Sequence, residues 1–144
     1  MSDSGLYSPR PLFDRLCGEE EGEGVLDARG LQASLARELS RLLNTRSRLD
    51  MAAFLNSELS VLDFGMPDIT SLAPQSQDDR ERLQKLVCRA ITFFEPRLSH
   101  IQVRVLDCPG DPARLKAEII AAVRLGRALR RVSFDWAIGS SSIN

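Results

Sequence analysis

Leucine recurs along residues 28–44 at helical spacing. Leu31, Leu35, Leu39 and Leu42 share one face, and Leu43 widens it. The pattern predicts a helix over 28–44, with Asp27 as its N-cap. Asn44 suits the left-handed position that commonly ends a helix. A second amphipathic run spans 78–94, where Leu83, Leu86, Val87, Ala90, Ile91 and Phe94 line one side. Cys88 falls on the same apolar face and reads as core. Ser76 with Asp79 three residues later resembles a capping box. Pro96 stops this helix and pushes Glu95 toward an extended conformation.

Beyond Pro96 the period changes from helical to alternating. Ile101, Val103 and Val105 alternate with Gln102 and Arg104, which predicts a strand. Cys108-Pro109-Gly110-Asp111-Pro112 reads as a turn. Residues 114–125 fit two templates, because Leu115, Ile119 and Val123 suit a helix face while Leu115, Ala117, Ile119, Ala121 and Val123 suit a strand. Alanine favours helix by propensity. A third segment, 132–138, places Val132, Phe134, Trp136 and Ile138 on one face. Two isolated strands make a weak sheet, whereas a three-stranded meander on the helices buries its apolar face. On that ground 114–125 is read as strand. The fold class is α+β: helices packed on a small, mainly antiparallel sheet of three strands or slightly more.

Residues 49–75 lack a sustained period. Met51, Ala52, Phe54 and Leu55 suit a brief helical turn. Residues 60–68 read as an ordered loop that turns at Gly65 and Pro67, with Val61, Leu62 and Phe64 as apolar anchors. Asp63 and Asp68 read as turn residues that bond their own backbone. Residues 1–24 read as a mobile N-terminal segment. It carries a short amphipathic helix with Leu12, Phe13, Arg15 and Leu16, then a solvated acidic linker over 18–24. That helix suits docking to a partner, or folding back on its own domain. Residues 25–144 read as a single domain.

Composition narrows the function classes. Hydrophobic residues make up 43% of the chain, enough for a buried core. The net charge of −1 predicts neither a nucleic-acid nor a membrane partner. Residues 97–131 nevertheless carry eight bases against three acids, which hints at a basic face. Seventeen of the 19 basic residues are arginine, the side chain that favours bidentate ion pairs and interfaces. Cys17, Cys88 and Cys108 have no metal-binding or CxxC spacing. The N-terminus lacks the apolar stretch of a signal peptide, and the longest aliphatic run is Ile119 to Val123. The expectation is a soluble cytosolic protein without direct membrane insertion.

No constellation carries catalysis, and no cofactor, metal or small-molecule substrate is expected. His100 is the single histidine and reads as a surface or packing residue. No phosphate-binding glycine loop is present. A carboxylate pair for glycoside hydrolysis needs only two acids at the right separation. Glu95, however, stands beside Arg97, and a nearby cation keeps a carboxyl ionised, which is wrong for a general acid. A peptidoglycan hydrolase is the alternative to a binding role.

Three segments carry a resemblance. They are Leu42-Leu43-Asn44-Thr45-Arg46, Ser60-Val61-Leu62-Asp63-Phe64-Gly65-Met66-Pro67-Asp68 and Phe94-Glu95-Pro96-Arg97-Leu98. In this order and spacing the chain resembles the TssE family of type VI secretion baseplate subunits. That family is similar to the wedge protein of contractile phage baseplates, in a group historically labelled gene-25-like lysozymes. Phe64 and Met66 stand where tyrosine and leucine are common. The resemblance covers about residues 10–138. It implies a structural role, partners TssF and TssG in the wedge, and contact with the first ring of the contractile sheath. It also implies a cytoplasmic place in the membrane-docked baseplate. Glu95, Pro96 and Arg97 carry over as the family's Glu-Pro-Arg motif. Either the acid and base clasp their own domain or they reach into a neighbouring subunit.

Overall fold

The computed structural model describes residues 8–9, 25–26, 28–138 and 143. The expected docking helix with Leu12, Phe13, Arg15 and Leu16, the acidic linker and Asp27 lie outside the described residues. A two-residue antiparallel ladder joins β1 (Ser8–Pro9) to β2 (Val25–Leu26). Then follow α1 (Ala28–Asn44), α2 (Met51–Asn56), a 3-10 turn (Val61–Asp63) and α3 (Gln77–Phe94). Strands β3 (Leu98–Cys108), β4 (Asp111–Leu125) and β5 (Ala128–Ala137) form an antiparallel sheet in the order β3-β4-β5. The fold is α+β, as the patterning predicts.

The predicted helical stripes are the buried ones. Leu31, Leu35, Leu39, Leu42 and Leu43 of α1 face Leu83, Leu86, Val87, Ala90 and Ile91 of α3 within one core cluster. Each fully buried leucine of this kind contributes roughly 1.5–3 kcal/mol of transfer free energy. The sheet closes the core with Ala117, Ile119, Ala121, Val123 and Leu125 of β4 and Val132, Phe134 and Trp136 of β5. Residues 114–125 are therefore strand, and the register explains the alanines. Ala117 pairs with Trp136 and Ala121 with Val132, so small side chains sit opposite larger ones.

Four local expectations differ from the structure. Asn44 stays helical, and its side-chain amide donates to the Ser40 carbonyl at 2.8 Å instead of the backbone turning left-handed. The box at α3 is half formed. Ser76 accepts from the Asp79 amide, but the Asp79 carboxylate accepts from Ala73 N at 2.8 Å and does not return to Ser76. Val61 and Leu62 are not anchors: they are 82% and 73% exposed, and the loop is pinned by polar groups instead. Cys88 is only partly buried.

Candidate functional site

The three motif segments, far apart in sequence, meet in one joint. Main-chain bonds tie the first to the second: Met66 N donates to Thr45 O at 2.8 Å, and Ser47 N donates to Met66 O at 2.8 Å. Gly65 lets the two backbones approach. At its φ of +117°, an added Cβ would lie 2.5 Å from Thr45 O and 2.8 Å from Ser47 N. A ring contact ties the second to the third, with Phe64 edge-on to Phe94 at 5.3 Å.

A buried carboxylate holds the second segment. Asp63 is 3% exposed. Its Oδ1 accepts from Arg48 Nε at 2.7 Å, and its Oδ2 accepts from Ser60 N at 2.8 Å. Ser47 Oγ donates to the Asp63 carbonyl at 2.8 Å. The Arg48 bond, followed by the Ser60 amide, holds the Asp63 carboxyl below the ordinary aspartate range. Asp68 is held low mainly by the Thr70 amide and hydroxyl, with Arg46 adding to it. The expected self-bonding of both aspartates is present, at Ser60 for one and Thr70 for the other. Arg48 is the residue sequence reasoning missed. It lies 15 positions from Asp63, and only the fold brings them together.

The third segment is a clasp. Glu95 caps α3, its amide donating to Ile91 O at 2.9 Å, and its side chain is buried. Arg97 turns back across Pro96 and grips that carboxylate, Nε to Oε1 at 2.8 Å and Nη2 to Oε2 at 3.0 Å. The remaining terminal nitrogen of Arg97 approaches Ser34 Oγ of α1 at 3.5 Å. The pair thus joins α3, β3 and α1 inside one domain.

The two outer edges of the sheet differ. On β3, Val105 N donates to Gln84 Oε1 of α3 at 3.0 Å, and Arg80 Nη2 of α3 reaches Asp107 at 2.6 Å. The helix touches that edge at these two points. On β5, the register sends the main-chain groups of Leu129, Arg131, Ser133 and Asp135 away from β4. Ser133 O accepts from Gln32 of α1 at 3.2 Å, and Trp136 bridges to Ile143 at the far end. Among the described residues no strand pairs along the rest of that edge.

No cluster of His, Cys, Asp and Glu suited to a metal ion occurs among the described residues. No described helix is long and apolar enough to cross a membrane. Both oxygens of Glu95 are engaged by Arg97.

A family profile described as "Baseplate wedge protein gp25" matches residues 29–127, most of the chain. The chain belongs to this baseplate wedge family. The match runs from the start of α1 to the β4–β5 turn and contains all three joined segments. Membership makes the chain a baseplate component, in a family whose role is structural. Among solved structures, a chain of "The baseplate complex from the type VI secretion system" matches with a TM-score of 0.52 and 21% identity. The match covers 78% of this chain and 97% of that one, and at this identity it speaks for a shared fold. No curated protein matches the chain significantly.

Proposed function

We propose that the chain is the TssE-type subunit of a type VI secretion baseplate. In this reading it joins the wedge, with TssF and TssG as partners, to the first ring of the contractile sheath. It is not an enzyme, and it works on the cytoplasmic side as part of the membrane-docked baseplate. The observation that carries the reading is the outer edge of β5, along which no strand pairs between Ala128 and Asp135 among the described residues, in a member of a baseplate family. An open edge is a template for another chain's strand, and main-chain bonds supply affinity without special side chains.

The clasp of Glu95 and Arg97 serves this role by fixing the angle between α3 and the sheet. Pro96 sets the corner between them. The short helix with Leu12, Phe13, Arg15 and Leu16 is proposed as a second docking element toward the wedge. Against a peptidoglycan hydrolase stands the engagement of both Glu95 oxygens by Arg97, which leaves neither facing a substrate. Co-purification of the full chain with the TssF, TssG and sheath proteins of the same genome tests the reading. Stable complexes are expected. An absence of binding to all of them, or cell-wall lysis that is lost on Glu95→Gln, overturns it.

A further inference from the structure

β3 begins with an irregularity. Ser99 pairs with Ala122 and Gln102 with Ile120, so His100 and Ile101 together face the single residue Ala121. Such a bulge bends the strand and re-aims a side chain. His100 takes a φ of +52°, the sole non-glycine with positive φ among the described residues. L residues disfavour that conformation, so the surroundings must hold it there.

The re-aimed imidazole lines a surface hollow of about 470 Å³ with Pro96, Arg97, Ser99, Arg124 and Leu129. The charges in the hollow are unequal in availability. Arg97 is committed to Glu95. Arg124 joins no ion pair among the described residues, and neither do Arg127, Arg130 and Arg131 of the adjoining hairpin. Leu129, paired across from Arg124, is 54% exposed and forms an aliphatic wall. The other end of the sheet is balanced by comparison, with Arg104 on Glu118 and Lys116 on Asp135.

We propose that this hollow receives an aspartate or glutamate side chain from a partner protein, with an apolar residue of the same segment resting on Leu129. Arg124 supplies the charge and His100 a ring nitrogen. The complementarity is specific to a peptide. A single-stranded nucleic acid would use a platform of Phe, Tyr or Trp for its bases, and none of these lines the hollow. The aliphatic wall also offers nothing to a phosphate chain. This inference takes its partners from the baseplate reading, the sheath and wedge proteins encoded with this chain.

Zero-length carbodiimide coupling tests it, because the reagent joins lysine amines to carboxylates and leaves arginine untouched. The chain holds only Lys85 and Lys116, so background is low. The Arg124→Lys variant keeps the charge and places an amine in the hollow. The control is Arg114→Lys, at the opposite end of β4. Mixed with the sheath and wedge proteins, Arg124→Lys is expected to couple to an acidic residue of one of them, and the control is not. A complex that forms without this coupling overturns the hollow and leaves the baseplate reading standing. Absence of any complex contradicts both. A second variant, His100→Gly, suits the left-handed backbone and removes the imidazole. It is expected to weaken partner binding about tenfold while the melting temperature holds or rises. Unchanged binding of His100→Gly, or binding of the wild-type chain that an added oligonucleotide abolishes by competition, contradicts the proposal.

Discussion

Arg97 Nε and Nη2 donate in parallel to the two carboxylate oxygens of Glu95, at 2.8 and 3.0 Å, across the proline that separates them. The acid is buried and the base is only partly covered, so the two ends of the bond are not equivalent. Removing the base strands a buried carboxylate, whereas removing both leaves neither charge unpaired.

Arg97→Ala is therefore expected to destabilise the domain by roughly 3 kcal/mol. The double variant Glu95→Leu with Arg97→Met should cost less than the sum of the corresponding single changes. Urea unfolding of the four proteins of this cycle measures it. Strictly additive costs would show that the two side chains are not energetically coupled.

Gly65 and Gly110 make a matched comparison. Both have positive φ, but an added Cβ at Gly65 meets Thr45 O at 2.5 Å, while Gly110 has open space around it. Gly110→Ala should cost about 1 kcal/mol, the left-handed penalty alone. Gly65→Ala should cost roughly 3 kcal/mol or more, because the backbones of two motif segments must separate. Equal thermal shifts in the two variants would contradict the close approach.

Acid should unfold the domain partly through Asp63 and Asp68, whose carboxyls are held below the ordinary value of 3.8. A carboxyl depressed in the folded state contributes stability that is complete above its unfolded value and lost as pH falls through the folded one. Stability from these groups should be flat above about pH 5 and fall below about pH 4. Asp63→Asn should lower stability at pH 7 and flatten the acid limb. Denaturant titrations between about pH 2 and pH 7 report both. Parallel acid limbs for the two proteins would remove Asp63 from the account.

Much of this architecture was legible from periodicity. Both long helices bury the leucine stripes that define them, because a 3.6-residue period has one buried solution. β4 was ambiguous because Leu115, Ile119 and Val123 fit a helix face, while the same residues with Ala117 and Ala121 fit strand alternation. Only the pairing of Ala117 with Trp136 shows why small residues stand there. Long-range polar pairs were not legible: Arg48 meets Asp63 and Gln84 meets Val105 only after the helices dock. The bulge at His100 has no marker in the local pattern either, since a register slip is a property of two strands. Val61 and Leu62 misled for the opposite reason. Their hydrophobicity promised burial, but the turn is held by the Ser60 and Asp63 box and leaves both outside.

In the proposed function the outer edge of β5 joins this subunit to the sheath. Ser133 offers the most direct test, because its main-chain groups face away from β4. Ser133→Pro removes a donor from the outer edge without breaking the β4–β5 ladder. Sheath assembly on a baseplate reconstituted with this variant, followed by electron microscopy and sedimentation, is the measurement. A folded variant that still enters the wedge but supports no sheath is expected. Sheaths of normal number and length on the Ser133→Pro baseplate would contradict it.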